Sequence, residues 1–153
     1  MIELSKATLS DIPQMQELVL QEIRDGIILN RSEDEVATNI RSYILAKKGE
    51  QIVGYGALHI HSIRLAEIRS LIVDSNFRGY GIGKKIVKYA LLEAKELNVK
   101  EDVLVLTYVA DFFKKLGFVE ISKEKIPEHK IWTDCIKCIH FPICNEVALV
   151  YKI

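Results

Sequence analysis

The segment LIVDSNFRGYGIGKKIVKYALLEAKEL, residues 71–97, constrains the fold more than any other part of this chain. An apolar run with strand character leads through three alternating glycines, Gly79, Gly81 and Gly83, into a stretch with Ile82, Ile86, Tyr89, Ala90, Leu92 and Ala94 at helical spacing. A helix that leaves a strand through so tight a turn must pack back on the sheet, so the chain is of α/β (α+β) type. The turn also has a chemistry. A helix N-terminus carries unpaired N–H groups and the positive end of the helix dipole, and glycines clear side chains away from that backbone. An anion, most often a phosphate, fits there. The alternative is that the glycines only make the turn. Neither common nucleotide motif matches. The P-loop needs Ser or Thr where Lys85 stands, and the dinucleotide fingerprint needs G-x-G-x-x-G where this turn reads G-x-G-x-G.

The remaining chain supplies a sheet for that unit. Residues 2–7 alternate as a strand, and Ser10 can cap a helix that runs to Arg24 with Ile12, Met15, Leu18, Val19 and Ile23 on one face. Ser32 to Glu35 reads as a capping box that opens a second helix. Residues 43–46 and 51–60 flank a Lys48-Gly49 turn and predict a hairpin, and residues 66–74 predict a further strand. Residues 103–108 form an apolar strand expected near the middle of the sheet. A short helix closed by Gly117 follows, then strands at 118–122 and 146–153 around an irregular stretch, 123–145. The predicted order is β-α-α-β-β-β-α-β-α-β-β. It implies a mixed, mostly antiparallel sheet of six to seven strands flanked by about four helices, in one domain, 1–153.

Charge excludes some function classes. The 153 residues carry 21 Lys and Arg against 21 Asp and Glu, so no bulk positive field invites nucleic acid or a membrane surface. No apolar run approaches the roughly 18–20 residues that span a bilayer, and the first residues lack the pattern of an export signal. A cytoplasmic protein with no nucleic-acid or membrane partner is expected.

At Arg78-Gly79-Tyr80-Gly81-Ile82-Gly83 the sequence resembles the acyl-coenzyme A signature [QR]-x-x-G-x-[GA] of the GCN5-related N-acetyltransferases, or GNAT proteins. The likeness covers nearly the whole chain, including the element order and the later FFKKLGF. It implies that the turn from Arg78 to Lys84 holds the diphosphate of acetyl-CoA, the co-substrate. It also implies that the strand end, Leu71, Ile72 and Val73, splays from its neighbour and pairs with the pantetheine arm. The amide of Ile72 or Val73 then polarises the thioester carbonyl, an oxyanion-type role. Many relatives carry a tyrosine as proton donor to the departing thiolate on the helix after the fifth strand. Phe113 stands there in this chain, lining the coenzyme without a proton, and Thr107 and Tyr108 at the strand end are alternative donors.

A narrower resemblance is to the acetyltransferase domain of N-acetylglutamate synthases, and in particular to short single-domain forms. GIILNRS (26–32), AEIRSLIVDSNFRGYGIG (66–83) and the Leu-Thr pair before DFF carry it. By that match Glu67 is the general base, Thr107 the hydroxyl residue, and Ser70 stands where the family has cysteine. Arg31 grips the α-carboxylate of L-glutamate through its guanidinium fork. The implied reaction is direct transfer of acetyl from acetyl-CoA to the α-amino group of glutamate, a step of arginine biosynthesis. Each residue has a plainer reading: Glu67 as a solvated strand carboxylate, Arg31 as a surface charge, Thr107 as strand filler. Transfer to another small amine or a protein N-terminus, and a non-catalytic CoA-binding sensor, stand as alternative functions. Relatives often form homodimers, and nothing in the sequence decides that.

The three cysteines share one segment, KIWTDCIKCIHFPICNEVAL. Cys135, Cys138 and Cys144 with His140 offer four soft ligands, yet the spacing satisfies only half of a zinc pattern. Reduced thiols packed by Trp132, Phe141 and Pro142 are the alternative, and no metal is assigned. The connection before the last strand borders the acceptor site in the resembled fold, which makes Lys130 and Trp132 candidate substrate contacts.

Overall fold

A computed structural model describes residues 1–126 and 146–153. The candidate residues Lys130, Trp132, Cys135, Cys138, His140 and Cys144 lie outside the described residues. In chain order the elements are β1 (Ile2–Lys6), α1 (Ile12–Arg24), α2 (Glu33–Thr38), β2 (Tyr43–Lys48), β3 (Gln51–Ile60) and β4 (Leu65–Val73). They continue with α3 (Ile82–Glu96), β5 (Asp102–Thr107), α4 (Ala110–Lys114), β6 (Val119–Ile121) and β7 (Val147–Lys152). The described residues form one mixed sheet of seven strands in the order β1-β2-β3-β4-β5-β7-β6, with four α-helices. Only β4 and β5 run parallel among the described residues.

Local chemistry accounts for most boundaries. Ser32 caps α2, its hydroxyl accepting from the Glu35 N–H at 3.1 Å. The entry to α1 differs from the sequence reading. A single 3-10 turn, Leu9–Asp11, precedes the helix, and the Asp11 carboxylate accepts the Thr8 N–H at 2.8 Å, so Thr8 and Asp11 take the capping role expected of Ser10. Pro13 starts the helix, where its missing N–H leaves no bond unmade.

Helices cover both faces of the sheet. On one face Ile86 and Val87 of α3, Phe113 of α4 and Phe118 just before β6 pack against Ile44, Val53, Ile68, Val103 and Val105. On the other, α1 and α2 pack Met15, Val19 and Val36 against Tyr43, Leu45, Tyr55 and Ile72. Double coverage is why β3 is buried continuously from Ile52 to Leu58 and shows no alternation.

Two features of β4 shape the site. Its parallel pairing with β5 runs only from Leu65↔Asp102 to Glu67↔Leu104. Beyond that both strands continue, β4 on β3 and β5 on β7, and a cleft opens between them among the described residues. The second feature is a bulge. Arg69 faces Ala57 and Ile72 faces Tyr55, so Ser70 and Leu71 together stand against one residue of β3. Ser70 has φ 57°, a left-handed conformation that re-aims the strand just where it leaves β5.

Candidate active site

The glycine turn ends β4 and opens α3. Gly81 is the N-cap at φ 78°, with no side-chain cap on the helix, and Gly79 lies at φ 87°. A Cβ at either would meet nothing within 4 Å, so these glycines are required by backbone conformation and not by crowding. The result is an exposed, side-chain-free helix mouth, a fit for a diphosphate. Gly83 differs. A Cβ there would stand 3.4 Å from Phe112 Cζ and 3.7 Å from Val73 Cγ2.

Arg78 braces the turn. Its Nε donates to the Val73 carbonyl at 3.2 Å, and its Nη2 lies 3.8 Å from Glu22 Oε1 on α1. Tyr80 and Lys84 are both exposed beside it. The Asp74 N–H donates to Val53 O at 2.8 Å, toward β3. Backbone groups of successive strand residues face opposite edges, so Val73 turns its N–H and C=O to the cleft. Ile72 turns its amide to β3 and its side chain into the core, 5% exposed. Of the two amides the sequence offered, only that of Val73 faces the cleft. Leu71, half-buried in the bulge, packs along Gly56.

Phe113 is a correction. It is 2% exposed and belongs to the core beneath α4, in edge contact with Phe118. A ring so enclosed offers no surface to a coenzyme. Its neighbour Phe112 touches the turn at Gly83, and the doublet's two rings stand at 89° to each other, one inward and one toward the turn.

Glu67 lies where β4 and β5 part. It is 2% exposed, which excludes the solvated-carboxylate reading, and Oε1 meets His61 Nε2 at 2.8 Å. Ala66 and Ile68 point to the α3 face, so Glu67 points to the α1/α2 face. Thr107 is buried on the α3 face at the end of β5, its Oγ1 accepting from the Val109 N–H at 2.9 Å. Glu67 and Thr107 thus occupy opposite faces of the sheet with the cleft between them. Tyr108 is exposed at the strand end.

On the Glu67 face a cavity of about 240 Å³ is lined by α1, the loop after it, and β2, β3 and β4. Gln16, Asn30, Arg31, Tyr43, Tyr55 and Ser70 supply its polar groups, and Met15, Val19 and Ile23 part of its apolar wall. The Arg31 side chain is 10% exposed, with Glu35 Oε2 3.9 Å from Nη1. Burial pushes the hydroxyl pKa of Tyr43 up, against the opposing pull of the Arg31 and Arg69 guanidiniums, so it stays a neutral hydrogen-bonding group at neutral pH. Tyr55 is raised for the same first reason, burial, with Tyr43 and Glu22 adding to it. Glu67 does not line this cavity, so a proton passing from it to Glu67 needs a bridging water.

Tyr43, Tyr55, Asn30 and His61 were missed at the sequence level. Of these, His61 carried a signal: in His59-Ile60-His61 the alternation puts both imidazoles on one face. The tyrosines carried none, since their partnership comes from the β2–β3 register. Among the described residues no group of His, Cys, Asp or Glu could hold a metal ion, and no helix is long and apolar enough to cross a membrane.

A parting parallel strand pair with a bare helix mouth beside it defines a coenzyme A-dependent acyltransferase, and comparison with known proteins agrees. Residues 39–120 match the model of the acetyltransferase (GNAT) domain. An uncharacterised N-acetyltransferase of Chlorobaculum tepidum is 38% identical over 94% of this chain and 92% of its own length. The amino-acid acetyltransferase of Mycobacterium tuberculosis is 34% identical over 76% of this chain and 68% of its own. The chain belongs to the GNAT acetyltransferases and is an N-acetyltransferase that uses acetyl-CoA. Among solved structures, N-acetylglutamate synthase of Neisseria gonorrhoeae complexed with coenzyme A and N-acetyl-glutamate superposes with a TM-score of 0.86 at 20% identity. That match takes in 99% of this chain, which spans only 35% of the synthase chain. A Mycobacterium tuberculosis protein in complex with CoA superposes at 0.85, with 25% identity and 99% of each chain covered.

Proposed function

We propose that this enzyme transfers acetyl from acetyl-CoA to the α-amino group of an amino acid, L-glutamate first among them, in the cytoplasmic synthesis of arginine. The observation that carries the reading is the Arg31 guanidinium, 10% exposed, in a cavity on the same sheet face as a buried carboxylate. A planar, largely buried cation suits a carboxylate, and an α-amino group held beside it is brought toward the cleft. The family resemblance and the amino-acid acetyltransferase of M. tuberculosis support the same substrate class.

The residues then have distinct tasks. The amides at the α3 mouth hold the diphosphate, and the Val73 N–H donates to the thioester carbonyl oxygen as it gains charge. Glu67, through a water, takes a proton from the amine, whose lone pair forms the C–N bond as the C–S bond breaks. The thiolate leaves with the bonding pair and is protonated by Thr107 from the opposite face, by Tyr108, or by solvent. Glu67→Gln lowers kcat at least about 100-fold while the protein still binds coenzyme. The deciding experiment is a panel of amines with thiol release as readout. Glutamate turning over no better than alanine or a peptide amine rejects it as acceptor.

The cavity lining also favours a second reading within the class. Arg31 is the only guanidinium lining this cavity among the described residues, and Asn30 and Gln16 supply amides. An amino acid with a neutral side chain needs no second cation, and the same panel ranks it against glutamate.

A further inference from the structure

We propose that His61 is a positioning residue for Glu67: its Nε2–H holds one carboxylate oxygen and keeps the carboxyl ionised where it is shielded from bulk solvent, ready to take the acceptor's proton through a bridging water. The inference rests on the reading of Glu67 as the base. The Glu67 and His61 side chains are only 3% and 2% exposed. A carboxyl removed from water resists ionisation unless a donor meets it, and a base that already carries a proton can accept none. His61 supplies the donor at 2.8 Å. With Glu67 ionised the carboxylate only accepts, so the proton of this bond then sits on His61 Nε2.

The hairpin between β3 and β4 holds the imidazole still. The His61 and Ser62 N–H groups both donate to Leu65 O, at 3.0 and 3.1 Å, and Ser62 Oγ accepts from the N–H groups of Arg64 and Leu65. The His59 ring stands edge to face against His61, with centroids 4.6 Å apart. Arg69 Nη2 lies 3.0 Å from His59 Nδ1. A guanidinium only donates, so His59 Nδ1 accepts and His59 is neutral while that contact lasts. The ring packed on His61 adds no charge through that contact, and Arg69 is the permanent cation of this group among the described residues.

Among the described residues, charged and titratable groups around the pair are few. On the sheet face they are His59 and Arg69, with Tyr43, Arg31 and Glu35 further along it. Behind His61 a separate cavity is lined by Arg64, Glu101, Asp102, Lys125 and Lys152. Of these, Arg64 pairs with Glu101 at 2.9 Å and Lys152 with Asp102 at 3.4 Å.

The test measures kcat against pH at saturating substrates for wild type, His61→Leu, His61→Gln and Glu67→Gln, with coenzyme binding by calorimetry. His61→Leu removes the donor, so the acid limb of the kcat profile moves up by about one to two pH units while coenzyme affinity is unchanged. Gln can donate from nearly the same place, and His61→Gln restores the limb toward its wild-type position. If His61→Leu does not fold, His61→Asn replaces it, because its amide is too short to reach Glu67. In the wild-type protein, ¹⁵N NMR should show a proton on His61 Nε2 at the pH of maximal kcat. An acid limb unmoved in folded His61→Leu, or the Nδ1–H tautomer, overturns the proposal. Glu67→Gln with wild-type turnover defeats the base reading and this inference with it. An inactive Glu67→Gln beside an unshifted His61→Leu defeats the role of His61 alone.

Discussion

Gly81→Ala isolates what the glycine turn does. Gly81 has φ 78°, and a Cβ there meets no atom within 4 Å, so alanine adds backbone strain and no collision. Placing an L-residue in that region costs about 1–2 kcal/mol. Where the strain appears depends on what holds the residue. Gly81 is exposed at a helix mouth with no side-chain cap, so an alanine in its place can relax locally in the free protein. The native turn must be restored when the diphosphate arrives, and the strain is then charged to binding. The coenzyme Kd should rise about 5–30-fold, with little change in Tm. Gly49 is the matched control. It has φ 62° with equally open space, but it sits in the two-residue turn between β2 and β3, whose register fixes it on both sides. Gly49→Ala should leave the Kd alone and lower Tm by about 2–8 °C for a domain of this size. Calorimetric titration with CoA and thermal melts of both variants make the comparison. Wild-type affinity in Gly81→Ala, or equal loss of affinity in the two variants, refutes the assignment of that backbone to the anion.

Three further outcomes are expected. Phe113→Ala should destabilise by about 3–5 kcal/mol, seen in denaturant unfolding, whereas Phe112→Ala should leave stability nearer wild type and weaken coenzyme binding; equal stability losses would undo the separation of the two rings. Arg31→Gln should raise the acceptor KM about 10–100-fold, the loss of one charged hydrogen-bonding contact, with the acetyl-CoA KM unchanged; an unmoved acceptor KM removes Arg31 from the pocket's chemistry. Burial raises the pKa of Tyr43 and Tyr55 above the unfolded value near 10, so the neutral hydroxyls favour the fold. That contribution is complete below about pH 10 and falls away as pH rises from there toward the folded values. Tm measured from about pH 8 to 11, across the usual tyrosine range, should fall less steeply in Tyr55→Phe than in wild type; parallel curves would refute the linkage.

What the sequence determined by itself is local. The order of the strands and helices, the capping of α2 at Ser32, and the glycine turn at the mouth of α3 all follow from spacing and backbone chemistry within a few residues, so they were legible without coordinates. The turn's motif was enough to suggest the coenzyme. The tertiary structure decided whatever depends on residues far apart in the chain. Phe112 and Phe113 are equivalent as letters; only the seat of α4 against β6 and β7 sends one inward and leaves the other at Gly83. Ile72 and Val73 are equally apolar, yet the Asp74–Val53 bond gives the cleft to the Val73 amide. Glu67 could have been a surface carboxylate until two covered sheet faces buried it and the β3–β4 hairpin brought His61 to its oxygen. The pocket around Arg31 joins positions from 15 to 70 through the β2–β3 register and the bulge at Ser70, which no local pattern encodes. Side-chain spacing writes the elements; packing and register decide which of their side chains meet.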